Sequence, residues 1–274
     1  MHALGYRLIT PTYTGLGERA HLANPSNDLE THIQDLLNVI HYEDLRDIAL
    51  IGHSYGGMVA TGVADRMRDR IAQLVYLDAF VPQNGQSCLD LIAPEPRGRL
   101  LDSVKTGDGW RVPPNPLPPD TSEADLKWIA ERRLPQSIKC FEMPLWLLHG
   151  ELTLPRSYVY CTRTAAVDFF RPFAERARSE RGWRYYEMDA SHSPGPLQSH
   201  LRAQPGPFDI LYLSVFFLHP LALCQALSPL SRPRNVIVRM CIIAVSPSDL
   251  IIRQHAREDR EWPRGRRQSR IMLR

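Results

Sequence analysis

The stretch that most constrains how this chain can fold is Asp47-Ile48-Ala49-Leu50-Ile51-Gly52-His53-Ser54-Tyr55-Gly56-Gly57. A short apolar run ends in Gly-x-Ser-x-Gly, and a helix-compatible segment follows. That order reads as strand, tight turn, helix. A serine at such a corner has its hydroxyl pushed into the open at the carboxyl end of a sheet. Gly52 and Gly56 flank it where a side chain would collide with the adjoining strand or helix. Gly57, Ala60 and Gly62 keep the following helix thin enough to lie close on the sheet.

The neighbouring segments alternate in the way a parallel sheet requires. Tyr6-Arg7-Leu8-Ile9-Thr10 reads as a strand stopped by Pro11, and a Gly-punctuated loop runs from Thr12 to Arg19. Asn27 is a candidate helix cap with Glu30 three residues on, and Leu29, Ile33, Leu36, Leu37 and Ile40 then fall on one helical face. Gln73 to Val81 is a near-continuous apolar strand ended by Pro82. This spacing predicts an α/β chain with a doubly wound, mostly parallel sheet. The pattern breaks over residues 83–143, where prolines crowd between Pro113 and Pro119. A helix over residues 123–133, with Leu126, Ile129 and Ala130 inward, is expected inside a cap insertion. Pro144 to Leu148 and Ser157 to Thr162 are the next strand candidates, followed by a helix opening near Pro172. Trp183 to Met188 is the last strand, and it delivers Asp189-Ala190-Ser191-His192 at its end.

Charge separates this body from the tail. The whole chain of 274 residues carries +3, but residues 231–274 hold eleven Arg, no Lys and four Asp or Glu, giving +7 there and leaving −4 for the first 230. The basic balance belongs to the tail, so it argues for no nucleic-acid partner of the domain. Residues 208–227 are strongly apolar but interrupted by Asp209, His219 and Pro220, which reads against a membrane span. The Arg-rich segment after them lacks a clear period and is expected to be poorly ordered. Five cysteines with no Cys-x-x-Cys and no zinc-like spacing read as idle thiols of a reducing compartment. The first residues lack an apolar core of signal-peptide length, so a cytoplasmic location is expected. No metal or organic cofactor is implied.

A serine hydroxyl needs a base to take its proton and donors to hold an oxyanion. His192, after the last strand, stands where such a base belongs when the chain order is serine, acid, histidine. His53 sits inside the serine turn, where its role would be to pack or orient. Three carboxylates compete for the acid. Asp78 lies at the carboxyl end of the strand after the elbow helix, Asp168 follows the strand ending near Thr162, and Glu151 follows His149-Gly150. An Asp among Leu77, Ala79 and Phe80 would be costly to bury without a partner. A histidine, or backbone amides, could serve as that partner. The backbone N–H of Tyr55, directly after the serine, is the first oxyanion donor.

Taken together, Thr10-Pro11-Thr12-Tyr13-Thr14-Gly15-Leu16-Gly17-Glu18-Arg19, Gly52-His53-Ser54-Tyr55-Gly56-Gly57-Met58-Val59, Leu77-Asp78-Ala79-Phe80-Val81-Pro82 and Ser191-His192 resemble the α/β-hydrolase superfamily. Within it they resemble the small bacterial esterases related to plant methyl esterases and hydroxynitrile lyases. The resemblance covers residues 5 to about 195. It implies a hydrolase domain over residues 1–200 and an atypical tail over residues 201–274. Members of this branch begin with a strand, a His-Gly loop and a helix ahead of the segment matching Tyr6 to Thr10, and the loop supplies the second oxyanion donor. The chain is therefore expected to be N-terminally truncated, lacking that first strand and helix. An open central edge would then invite pairing with a second copy. Hydroxynitrile lyases of the branch carry a Lys after the catalytic His; here that place is Ser193. The resemblance thus implies a serine hydrolase of small carboxylic esters, with Ser54 as nucleophile, His192 as base, Asp78 orienting it and Tyr55 N–H in the oxyanion hole. The competing expectation is a non-catalytic hydrolase-like protein, or a decayed gene product, that binds a small ligand or nothing.

Overall fold

In a computed structural model, the chain is described at residues 7–117, 121, 123–130, 132–164 and 167–192, together with the strands Leu201–Ala203 and Cys241–Val245. Strand β1 (Arg7–Ile9) leads through the Gly-rich loop to helix α1 (Leu29–Tyr42). Strand β2 (Ile48–Ser54), helix α2 (Gly56–Arg66) and strand β3 (Ile71–Ala79) follow as a parallel β-α-β unit. The insertion then contributes α3 (Pro94–Thr106), an antiparallel pair β4 (Arg111–Val112) and β5 (Gln136–Ser137), α4 (Glu123–Ala130) and α5 (Lys139–Glu142). Strand β6 (Arg156–Arg163), helix α6 (Arg171–Ser179) and strand β7 (Trp183–Ser191) complete the body, and β8 (Leu201–Ala203) and β9 (Cys241–Val245) come from the tail.

The main sheet runs β1-β9-β2-β3-β6-β7-β8, parallel throughout except for the β7–β8 edge pair. Strand β2 sits deep within it, and every one of its residues is buried, as expected for a strand covered on both faces. Helix α2 packs on β2 and β3, α6 packs on β6 and β7, and α1 packs on α2. The inward face of α1 is Leu29, Ile33, Leu36, Leu37 and Ile40, as its periodicity predicted, with His32 buried among them. Burying each such side chain contributes about 1.5–3 kcal/mol, so this face alone anchors the helix.

Several local expectations are corrected. The cap of α1 is Asp28 rather than Asn27. Asp28 accepts from the Thr31 amide while the Thr31 hydroxyl faces the Asp28 amide, so the reciprocal box uses Thr31 and leaves Glu30 free to pair with Arg66. Residues 144–148 form no strand; Leu145 alone bridges to Gln86, and Leu147 N–H is taken by the Asn84 side chain. Helix α4 is shorter than predicted, and Leu126 and Ala130 lie exposed. A helical period was present there, but the cap offers little core for it to face.

The largest difference concerns the edge of β2. It is not open. Cys241–Val245 pairs in parallel with β2, from Ile48↔Cys241 to Gly52↔Val245, and on its other side with β1. This five-residue apolar run lies within the Arg-rich part of the tail, and it supplies the backbone partners that β1 and β2 would each lack. The apolar run at 208–227 and the rest of the Arg-rich segment lie outside the described residues. Among those described, no helix is long and apolar enough to cross a membrane. Cys88, Cys140 and Cys161 are free and buried.

Because Ile243 is paired on both sides, Ile243→Pro should break a central ladder. The expected cost is on the order of 3 kcal/mol or more, read as a fall in the urea midpoint with loss of cooperativity; an unchanged midpoint would mean that β9 does not hold the sheet together.

Candidate active site

Three strands bring the predicted residues to one end of the sheet. β2 ends at Ser54, β3 carries Asp78 one residue before its end, and β7 ends at Ser191, directly before His192. The crevice beyond the carboxyl ends of parallel strands is where open α/β sheets place their ligand sites.

The turn at Ser54 is made by backbone strain and close approach. Ser54 has φ of +55°, in the left-handed region where a side chain other than glycine's is unusual. The strand–helix corner is tight because Gly52 and Gly57 have no side chains. A Cβ on Gly52 would lie 2.7 Å from the Gly56 carbonyl oxygen, and one on Gly57 only 2.1 Å from that of Phe80. The Phe80 amide donates to the Ser54 carbonyl oxygen at 3.2 Å, closing the corner against the end of β3.

Asp78 reaches the site through a second strained residue. In the β2–β3 ladder His53 pairs with Leu77 but Ser54 pairs with Ala79, so Asp78 is an extra, unpaired residue. Its φ is +41°. A bulge of this kind bends the strand and re-aims a side chain, often beside an active site. The backbone groups displaced at Ala79 are met by Tyr158, whose hydroxyl accepts from the Ala79 amide at 3.1 Å and donates to the Ala79 carbonyl at 3.0 Å.

The result is a continuous hydrogen-bond chain. His192 Nδ1 lies 2.8 Å from Asp78 Oδ2, and His192 Nε2 lies 3.1 Å from Ser54 Oγ. A carboxylate accepts, so Nδ1 carries the proton and Nε2 is left to accept from the serine hydroxyl. The remaining Asp78 oxygen accepts the Cys161 amide at 3.2 Å. Phe170 stacks on the His192 ring, centroids 4.6 Å apart and planes within 10°. Burial pushes the Asp78 carboxyl above its ordinary range, while the His192 and Cys161 bonds pull it back.

The two rival carboxylates are engaged elsewhere. Asp168 caps α6, accepting from the amides of Phe170 and Arg171 and from the Tyr160 hydroxyl at 2.5 Å. Glu151 is exposed beside Arg156. Tyr55 begins α2 with its amide at the corner, and its side chain is fully buried. The Tyr55 hydroxyl donates to His32 Nδ1 at 3.2 Å, because His32 Nε2–H is spent on the Thr14 carbonyl at 3.2 Å. Burial pushes His32 down to about 4. Sequence reasoning missed Tyr158, Phe170 and the Cys161 amide, since each acts through a register or a stacking contact that carries no motif. Among the described residues, no group of three or more His, Cys, Asp or Glu is arranged to hold a metal ion.

Two measurements test these environments. Asp78→Asn keeps an acceptor for the Cys161 amide but turns an NH₂ toward His192 Nδ1, fixing the wrong tautomer. Its kcat should fall by roughly 10³–10⁴. A carboxyl raised in the fold carries a cost that is full above its folded pKa and absent at low pH, so the Asn variant should unfold at an equal or higher urea concentration than wild type at neutral pH. His32 has the opposite sense: kept neutral in the fold, it stabilises above its ordinary 6.5. That contribution, on the order of 3 kcal/mol, should be lost as pH falls from 6.5 toward 4. Urea midpoints of wild type and His32→Gln across this range should converge if His32 carries the loss.

A profile of the Alpha/beta hydrolase family matches residues 1–270. A carbendazim hydrolyzing esterase from Nocardioides sp. (strain SG-4G) is 38% identical over 197 residues, which cover 69% of this chain and 81% of that protein. Among solved structures, an extracellular α/β-hydrolase from a Paenibacillus species, described as sharing structural and functional homology with tobacco salicylic acid binding protein 2, superposes with a TM-score of 0.55. It is 23% identical, over 68% of this chain and 90% of that one. The pyrethroid hydrolase PytH superposes at 0.50 with 21% identity, over 70% and 82% of the two chains. At those identities the structures speak for the fold. With the profile and the Nocardioides relative, they make this chain a member of the α/β-hydrolase family.

Proposed function

We propose that the protein is a carboxylic ester hydrolase that works by acyl transfer to Ser54. The observation that carries this reading is the pair of bonds made by His192, to Ser54 Oγ at 3.1 Å and to Asp78 at 2.8 Å, at a strained strand–helix corner. The esterase activity in the name of the Nocardioides relative supports the same reaction class.

In this mechanism His192 Nε2 takes the Ser54 proton as Oγ attacks the ester carbonyl carbon. The carbonyl oxygen becomes an oxyanion facing the Tyr55 amide, and Asp78 holds the new imidazolium by its Nδ1–H. Collapse of the tetrahedral intermediate breaks the bond to the alcohol oxygen, which leaves with the proton from Nε2. Water then gives its proton to Nε2, attacks the acyl carbon, and the acid departs as Ser54 regains its proton. Small carboxylic esters are the substrate class.

Fluorophosphonate labelling followed by mass spectrometry tests the reading. Wild type should take up one phosphonyl group at Ser54, and Ser54→Ala none, with ester turnover by the variant down at least ~10³-fold. A folded wild-type chain that resists the probe, or equal labelling of Ser54→Ala, would remove the esterase reading.

A further inference from the structure

His53 precedes the nucleophile by one residue, and its side chain is fully buried. Its Nε2 lies 2.7 Å from the backbone carbonyl oxygen of His192, and the two imidazole rings are 4.7 Å apart between centroids, inclined by 31°. A carbonyl only accepts, so the His53 ring carries its proton on Nε2. The place of that acceptor in the fold matters. The last pair of the β6–β7 ladder is Arg163↔Ser191, beyond a register shift in β6. His192 is therefore the first residue past the sheet, and the ladder does not hold its carbonyl. The bond from His53 ties that residue's backbone to β2 itself, the strand that also carries Ser54.

We propose that His53 is a positioning residue for the general base: its Nε2–H tethers the His192 backbone and so sets the reach of His192 Nε2 to Ser54 Oγ. This inference rests on the esterase reading above. Phe170 fixes the plane of the His192 ring and Asp78 fixes its rotation. Neither ties the His192 backbone to β2, which the His53 bond does. Misplacement of a reacting group by about 1 Å costs on the order of 10² in rate, so a tether that holds the base at its 3.1 Å reach is felt in turnover. A leucine at position 53 fills the volume without a donor, whereas a glutamine can present an N–H at nearly the reach of Nε2.

The test compares wild type, His53→Leu, His53→Gln and Ser54→Ala, with active sites counted by fluorophosphonate titration and turnover followed on p-nitrophenyl acetate. In His53→Leu, kcat per titrated site should fall roughly 10- to 100-fold with KM within about twofold, and His53→Gln should recover most of the loss. A mere packing role would lower the number of titratable sites and leave the rate at each unchanged. Wild-type turnover per site in His53→Leu overturns the proposal, as does His53→Gln that is as slow as His53→Leu. Should the leucine variant not fold, imidazole ¹⁵N–¹H spectra of the wild-type chain decide. A slowly exchanging His53 Nε2–H, absent from His53→Gln, is expected; a His53 ring protonated only at Nδ1 overturns the tether. Full activity of Ser54→Ala would instead sink the esterase reading itself, which separates the two failures.

Discussion

The site depends on one backbone constraint: β2 and β3, paired in register from Ala49↔Gln73 to His53↔Leu77, both leave extended geometry within the next residue. Ser54 at φ +55° and Asp78 at φ +41° are each in the left-handed region. Residues held there cost of order 1–3 kcal/mol each and persist only when the surroundings over-determine them. The surroundings here do so on both strands. The Phe80 amide holds the Ser54 carbonyl, the Tyr158 hydroxyl holds both backbone groups of Ala79, and Gly57 lets α2 pass against the Phe80 carbonyl. The two distortions are therefore one structure. Straightening either strand would restore a ladder pair and swing the Ser54 or Asp78 side chain away from His192.

Electrostatics then narrows what the strained pair can do. A carboxylate as buried as Asp78 is expensive unless it is both paired and hydrogen-bonded. Its partners are two, His192 Nδ1–H and the Cys161 amide, and they do not fully offset desolvation, since the carboxyl remains raised. An incompletely satisfied anion gains most when its partner becomes a cation. In the mechanism proposed above, the His192 imidazolium is that cation, and the resting cost is relieved as the proton leaves Ser54. Asp168 instead accepts from two amides at the start of α6 and from the Tyr160 hydroxyl of β6, and none of its bonds goes to His192.

Much of this was legible in the sequence because it is local. Gly-x-Ser-x-Gly after an apolar run specifies the corner, the period-3.6 face specifies α1, and the position directly after the strand now seen as β7 singles out His192. The carboxylate that would meet His192 was not legible as a single residue. Asp78, Asp168 and Glu151 all follow strands, and only the bulge between Leu77 and Ala79 turns the first toward His192. A register shift leaves no composition signal. The misread strand at 144–148 and the exposed Leu126 share another cause. Within a cap, apolar residues need not face a core, so periodicity there overstates burial.

The tail shows a different limit. Cys241-Ile242-Ile243-Ala244-Val245 is apolar and rich in β-branched residues, a strand by local propensity. Its arginine-rich surroundings hid it, and no local rule says where in a sheet such a strand will dock. Topology does. β1 and β2 each offer a parallel ladder to a strand between them, and a vacancy on β2 would leave buried amides and carbonyls unpaired. Any short apolar segment able to reach that gap is stabilised there by two ladders at once. The strand that carries Ser54 is thereby completed by a segment far downstream, with Ile48 paired to Cys241. That makes it a pairing of high sequence separation, exceeded in this sheet by the pairing of β1 with the same strand, and closing so long a loop carries a large entropy cost. The elbow is encoded in one short consecutive stretch, but the rigidity of the strand that carries it is a property of the whole chain.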